Sequence, residues 1–456
     1  MFYLSEGEYQ YYGNSNVYTV SNATPAAKEA YAVVNGSTLT FYYDELKGSR
    51  TGKKYAMNTG NAYPGWAVDS LSITQARFDA SFAAYSPSTT ASWFRHQVNL
   101  TSIQGMANLN TSATTRMQSM FYECYALTSV DVSGFDTRNV TNMGWMFYDC
   151  RSLKNINVSK FNTAKVTNMR SMFYNCASLT SLNISGFNTQ NVSDMGWMFF
   201  ECSLLTSLDF SKFKTTNATQ MNNLFTNCSK LTSIDLSSFS TANVTDMNRM
   251  FYGCTALKQV NVSSFNTAKV TDMEAMFYDC EGLTTLDISN FETPAVTKTA
   301  YMFRGCTSLK ELDMRSFDTP SVTDMQVMFY GCSALKTIYS AQSWDTSNVT
   351  TSRIMFGNCT SLVGGKGTAF NSDNIDHTYA RIDGGVYAPG YFTYRAASKK
   401  GDVNGDGKVD VADIACIIDV MAGSVGSGFA TSADVNGDGK VDVADIGSVI
   451  DVMATN

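Results

Sequence analysis

The sequence predicts an α/β solenoid built from 26-residue repeats, with a β-rich cap before it and a small all-α acidic module after it. Three observations carry this. Ten of the eleven cysteines fall at 124, 150, 176, 202, 228, 254, 280, 306, 332 and 359, so eight consecutive intervals are 26 residues and the last is 27. A period of that length is the signature of stacked repeats, each too small to bury its own apolar face. Within each period an alternating apolar stretch gives way to apolar residues at helical spacing. The last 56 residues, 401 to 456, hold ten Asp, no Glu and two Lys.

Residues 1–99 read as a leader dominated by strands, capping the array that follows. Composition supports the reading of the whole chain. Of 456 residues 44% are hydrophobic, enough for a large core, and only 16% are charged, against about 25% in ordinary soluble domains. Ser, Thr and Asn make up the difference, as expected of turns and outer faces. The net charge of −7 is unevenly placed: the tail alone carries −8, and the other 400 residues carry +1. A near-neutral body has no basic footprint for nucleic acid. No apolar run reaches the length of a membrane span. The first residues lack the basic and apolar regions of a signal peptide, so secretion would require one outside this sequence.

The repeat from Leu127 shows the anatomy of residues 100–362. Val130 and Val132 flank Asp131, the two-residue period of a strand with one buried face. Asp136-Thr137 follows as a turn. Met143, Met146, Phe147 and Cys150 then stand at i, i+3, i+4 and i+7, which predicts about two turns of helix. Stacking in register predicts ladders of like residues, among them Phe135, Phe161 and Phe187 onward, with Trp344 in place after the inserted residue. The extra residue should bulge the last coil.

Three ladders raise chemical questions. Disulfides between adjacent coils are conceivable, because about 4.8 Å between Cα atoms lies within range. Parallel Cβ directions favour buried thiols instead, and His96 and His377 stand outside the cysteine register, which argues against zinc. Outward strand positions Asp131, Asn157, Asn183, Asp209 and their successors form a polar face, suited either to a ligand or to solvent. Tyr122, Tyr148, Tyr174, Tyr252, Tyr278 and Tyr330 each follow the buried Met-Phe pair by one residue. They are candidates for ligand recognition through an apolar body and a polar tip, or for packing between coils.

The recurring F-D-T-x-N-V-T-N-M-x-x-M-F-x-x-C-x-x-L resembles the leucine-rich repeat of BspA-like bacterial surface proteins. A-Y-A-V-V-N-G-S-T-L-T-F-Y-Y-D upstream resembles the leader of that family. A-R-I-D-G-G-V-Y-A-P-G-Y-F-T, within 363–395, resembles its closing cap. The resemblance implies extracellular, noncatalytic binding or adhesion.

Residues 396–400 read as a linker. Beyond them D-V-N-G-D-G-K-V-D-V-A-D occurs twice, 32 residues apart. Asp402, Asn404, Asp406, Lys408 through its carbonyl, Asp410 and Asp413 occupy positions 1, 3, 5, 7, 9 and 12 of a calcium loop, with Gly407 at 6. The second set is Asp434, Asn436, Asp438, Lys440, Asp442 and Asp445, so two calcium ions are expected. Each loop precedes an amphipathic helix, at Ile414, Ile417, Ile418 and Met421, then at Ile446, Val449, Ile450 and Met453. This duplicated loop and helix over 401–456 resembles a type I dockerin. That resemblance implies docking to a cohesin-bearing protein, with Val411-Ala412 and Val443-Ala444 at the positions that guide partner choice. Their identity would permit two orientations related by pseudo-symmetry.

The functional expectation is a secreted recognition or adhesion protein of the cell surface or extracellular space, whose solenoid binds a protein or glycan and whose tail docks to a cohesin. The alternative is a passive spacer or accessory protein of a polysaccharide-degrading complex. Catalysis is not expected. A glycosidase needs two carboxylates facing each other across a cleft, and the leader is too short for such a domain.

Overall fold

The computed structural model describes residues 2–3, 8–13, 16–21, 27–395, 401–404, 408–423, 433–436 and 440–455. Strands β1 (Phe2–Tyr3), β2 (Glu8–Gly13) and β3 (Asn16–Ser21) form an antiparallel sheet. A second sheet contains β4 (Glu29–Asn35), β5 (Thr38–Asp44), β6 (Lys53–Ala56), β7 (Gln75–Phe78) and β8 (Ser102–Gln104), in the order β6-β4-β5-β7-β8. The pairs of β4 with β5 and β6 are antiparallel, whereas β5–β7 and β7–β8 are parallel. The sheet thus passes from hairpin pairing to the parallel pairing of the repeats. Alternation in β5 sends Leu39 and Phe41 inward. Phe41 stacks on Phe78 at 4.6 Å and on Trp93 at 5.2 Å, and Phe94 stacks on Phe121 at 5.4 Å. The aromatic core of the cap therefore runs without a break into the first coils.

The segment that the spacing predicts to be helical is not a helix. Among the described residues of the array there is no α-helix, and residues 143–150 form successive turns. Their backbone N–H groups alternate in use. Met143, Trp145, Phe147 and Asp149 donate to the carbonyls of Asn168, Arg170, Met172 and Tyr174 in the next coil, at 2.6–3.1 Å. Met146, Tyr148 and Cys150 donate locally to Met143, Trp145 and Phe147, each at 3.2 Å. The pattern needs two left-handed residues per coil, here Trp145 at φ 57° and Asp149 at φ 56°. The second of these places is filled from Glu123 to Asn358 by Glu, Asp, Asn or Gly alone, and Gly253, Gly305 and Gly331 are among them. Asn, Asp and Gly tolerate this conformation best.

Width explains the outcome. An α-helix with side chains is about 10 Å across, while coils paired by backbone hydrogen bonds repeat every ~4.8 Å. A helix on one side would splay the stack. Turns satisfy the same apolar spacing and keep both sides on one short repeat. Met143, Met146, Phe147 and Cys150 are all buried, as the i, i+3, i+4, i+7 pattern requires.

Side chains repeat with the backbone. From Phe94 to Phe356 successive rings of the turn column stack at 5.2–5.9 Å, within 17° of parallel. The Thr137 hydroxyl donates to the Asn162 carbonyl at 3.0 Å and accepts from the Asn162 N–H at 2.7 Å, and Thr163 repeats this with Asn188. On the strand side, regular parallel pairs are short: β9 (Ser233–Asp235) with β10 (Gln259–Asn261), and β11 (Glu311–Asp313) with β12 (Thr337–Ser340). The inserted residue is taken up at Ser340, after Tyr339 in register with Asp313. Strand β13 (Phe392–Tyr394) then pairs with β12 and covers the end of the stack, where Tyr391 meets Phe356 at 5.2 Å.

The array cysteines are buried free thiols. Each donates to the carbonyl of a Phe in the preceding coil, as Cys150 does to Phe121 at 3.1 Å and Cys176 to Phe147 at 3.2 Å. Burial pushes the thiols of Cys202, Cys254 and Cys332 up to about 12. Thiol titration of native protein should find Cys416 alone reactive, and titration after denaturation without reductant should find nearly eleven. A denatured count near one would contradict the thiol ladder.

Candidate functional site

The six candidate tyrosines lie in one column along the edge of the array, half-buried. Tyr122, Tyr148, Tyr174 and Phe200 stack face to face at 4.3, 4.3 and 4.5 Å, within 9° of parallel. Thr226 interrupts the column. Tyr252 and Tyr278 resume it at 4.3 Å, and Arg304 lies over Tyr278 at 4.4 Å and over Tyr330 at 5.6 Å. At the other end Arg95 lies over Tyr122 at 4.1 Å. The flat faces of the inner rings are thus used by their neighbours, which leaves ring edges and hydroxyls at the surface. Burial, the largest cause, raises Tyr122 and Tyr148 to about 12. The repeat spacing could have identified Arg95 and Arg304, which occupy the tyrosine place in their own coils.

The outward strand face is committed locally. Asp131 Oδ1 accepts from the N–H and hydroxyl of Ser133 at 3.0 and 2.6 Å. Asn157, Asn183 and Asn261 do the same for Ser159, Ser185 and Ser263. The side chains stabilise turns after the strand. Between the coils lies a shallow cleft of about 440 Å³ floored by Ser129, Asn155 and Ser181.

In the tail, α1 (Val411–Met421) and α2 (Val443–Thr455) follow the two acidic loops. Asp410 caps α1 by accepting from the Ala412 N–H at 2.8 Å, and Asp442 accepts from the Ala444 N–H at 2.8 Å. Asp413 is buried, its Oδ1 accepting from Val403 and Asn404 N–H at 2.8 and 3.0 Å and its Oδ2 from Asp410 N–H at 2.8 Å. Asp445 is equally buried and accepts from Asn436 and Asp442 N–H at 3.0 and 2.9 Å. The twelfth position of each loop is therefore tied to the residues that open and close it. Asp406 and Asp438, with Gly407, lie outside the described residues, and among those described no three acidic, His or Cys side chains converge. The donor set still fits calcium. It is made of hard oxygens, and a carboxylate has about four lone-pair sites, so an Oδ2 lone pair of Asp413 stays available.

Val403, Ile417, Ala433, Val435 and Val449 form the small core of the tail, joined by Ile414, Ile446 and Met453. Ile418 and Ile450, both on the apolar stripe predicted from sequence, turn outward at 51% exposure each. They stand seven residues after Val411 and Val443, each 71% exposed. The halves thus present equivalent apolar stripes. The i, i+7 spacing from the predicted contact positions was the signal for Ile418 and Ile450.

A family model described as Mycoplasma protein of unknown function, DUF285, matches residues 89–208, 178–285 and 282–381. The chain belongs to the DUF285 family. The DUF285 region begins where the turn ladder begins, since Thr89 is bridged to Arg116, with Trp93 and Gln97 in the Met and Cys places of an early coil within the leader. A second model, the type I dockerin domain, matches 400–453. These matches bear out both resemblances read from the sequence. Calcium binding and cohesin docking come with the dockerin family. Similar solved structures include a leucine-rich repeat protein from Bacteroides ovatus, 17% identical, with TM-score 0.35 over 79% of this chain and 93% of that one. A leucine-rich repeat protein from Eubacterium ventriosum is 16% identical, with TM-score 0.33 over 83% and 98%. The functional domain of InlJ from Listeria monocytogenes, which includes a cysteine ladder, is 14% identical, with TM-score 0.19 over 59% and 58%. No curated protein matches significantly. No described helix is long and apolar enough to cross a membrane.

Removing one ring from the tyrosine column should cost stability. Tyr148→Ser loses two stacked contacts at about 0.5–1.5 kcal/mol each, and should lower Tm accordingly. Because folding raises these phenols above their unfolded value of 10.0, the stabilisation is present below pH 10 and is lost as pH rises toward 12. Phenolate absorbance and thermal melts across that interval check both statements. An unchanged Tm for Tyr148→Ser would contradict the packing role.

Proposed function

We propose that this protein is a secreted, noncatalytic recognition or adhesion protein, displayed on the cell surface or in the extracellular space. Its repeat array binds a protein or glycan. Its tail docks to a cohesin-bearing partner when calcium fills both loops, one ion on Asp402, Asn404, Asp406, the Lys408 carbonyl, Asp410 and Asp413, the other on Asp434, Asn436, Asp438, the Lys440 carbonyl, Asp442 and Asp445. The observation that carries the docking reading is the duplicated exposed stripe, Val411-Ala412 with Ile418 and Val443-Ala444 with Ile450. Large apolar side chains held in water on a small domain mark a partner surface. Two equivalent stripes related by the internal repeat let the partner seat on either.

Calcium supports this surface through folding. The tail has a small core, so ion binding supplies much of its folding free energy. The ions also offset half of the −8 that the tail carries.

A pull-down with an immobilised cohesin should retain the full chain with calcium, and release it with a chelator. It should not retain a chain ending at Arg395. Calorimetry should give two calcium ions per chain. Ile418→Asp or Ile450→Asp alone should leave binding within a fewfold, and the pair together should weaken it by about tenfold or more, as for buried interface anchors. Retention without the tail would contradict the docking assignment. An array that binds no glycan or host protein would make the chain a spacer.

A further inference from the structure

The junction of the cap with the first coils holds a cleft of about 460 Å³, lined among others by Asn61, Tyr63, Arg95, Gln118, Tyr122 and Trp145. Arg95 and Trp145 differ from their counterparts along the array. Arg304, in the same column as Arg95, pairs with Asp279 at 3.7 Å. Arg95 lies over Tyr122 at 4.1 Å and over Tyr63 at 5.4 Å, and its Nε donates to His96 Nε2 at 3.1 Å. Among the described residues no carboxylate lies within ion-pair distance of it, neighbouring Glu123 being engaged by His96 at 2.7 Å, so its two terminal nitrogens keep no anionic partner. Trp197, two coils beyond Trp145, packs on Phe200 at 5.0 Å, whereas Trp145 has no ring partner among the described residues. Tyr63 is 63% exposed.

The amides of the cleft are also incompletely used. Asn61 Oδ1 accepts from Arg116 Nη1 at 2.5 Å and from Gln118 Nε2 at 2.7 Å. Gln118 Oε1 is buried with no hydrogen-bond partner, an arrangement that costs stability unless something meets it. The cleft thus combines a guanidinium whose terminal nitrogens have no carboxylate partner among the described residues, the ring of Trp145, the exposed Tyr63 beside Arg95, and an amide pair with an unmet acceptor.

We propose that this cleft binds a carboxylate-bearing pyranose, a uronic or sialic acid unit of a glycan. Arg95 takes the carboxylate through its two terminal nitrogens, its Nε being held by His96. Trp145 and Tyr63 lie against the C–H face of the sugar, which the electron-rich ring faces attract. The amide pair meets hydroxyls, which both donate and accept. The size suits one or two sugar rings. The site rests on the recognition role proposed above and places its ligand at the cap end, away from the inner tyrosines whose faces are already stacked.

The test uses the full chain with calcium, and calorimetric titration with trigalacturonate, with its methyl ester and with sialyllactose. One of the two acids should bind, which identifies the uronic or the sialic source. Esterification for trigalacturonate, or Arg95→Gln for either acid, should weaken binding by about tenfold or more, the worth of a charge-assisted contact. Trp145→Asn, the residue found at the equivalent Asn223, and Tyr63→Ala should weaken it with Tm unchanged. Should Arg95→Gln lower Tm, exposed Tyr63 decides. Binding of neither acid, equal affinity for the ester, or indifference to these substitutions overturns the proposal. So does an Arg95-dependent affinity for a peptide carboxylate in place of sugar. If another glycan or protein binds and survives all three substitutions, the recognition role stands and this cleft is not its site.

Discussion

The hydrogen bond that passes from one coil's backbone to the next is the interaction on which the structure depends. In the stacked turn segments before the last, alternate N–H groups leave the coil, as those of Met143, Trp145, Phe147 and Asp149 do. This ties the backbone to a repeat of ~4.8 Å, and everything else must fit that distance. Rings stack because they have no room to do otherwise, and Thr137 and its successors bond across coils because the next backbone is within reach. Helices do not fit. Two residues per coil take left-handed geometry as the cost, and the second of the two shows it in composition.

Much of this was legible in the sequence. The period, the array, the buried Met-Phe-Cys face and the duplicated dockerin segment follow from spacing. What misled was that i, i+3, i+4, i+7 describes a buried face at intervals of three and four, which linked turns satisfy as well as a helix does. The discriminating signal lay at Glu123, Asp149, Asn175 and Gly253, turn formers recurring inside what reads as a helix. The tyrosine column was visible, but its stacked geometry depends on the coil distance, which no single repeat contains. In the tail the apolar stripe splits: Ile417 and Val449 enter the small core, with Ile414, Ile446 and Met453 against it, while Ile418 and Ile450 are exposed.

The two ends of the chain divide the chemistry. The array is near neutral and its inner tyrosine ring faces are used internally, while the cleft around Arg95 and Trp145 lies at the cap junction. The tail carries the negative charge and the exposed apolar stripes, which suit an ion and a protein partner. Between them, stacked coils set a distance. Because each coil adds one short step, the number of coils sets the length of the array.

Far-UV circular dichroism tests the central claim most directly, because turns and helices differ in that signal and the claim is that coils join through turns. Among the described residues 25 are α-helical, the 11 of α1, the 13 of α2 and Ala433, in a chain of 456. The full chain with calcium should show a helical signal of that small size, most of it lost on chelation while the remainder of the spectrum persists. A calcium-independent helical signal equal to two turns in each of ten repeats would contradict the account.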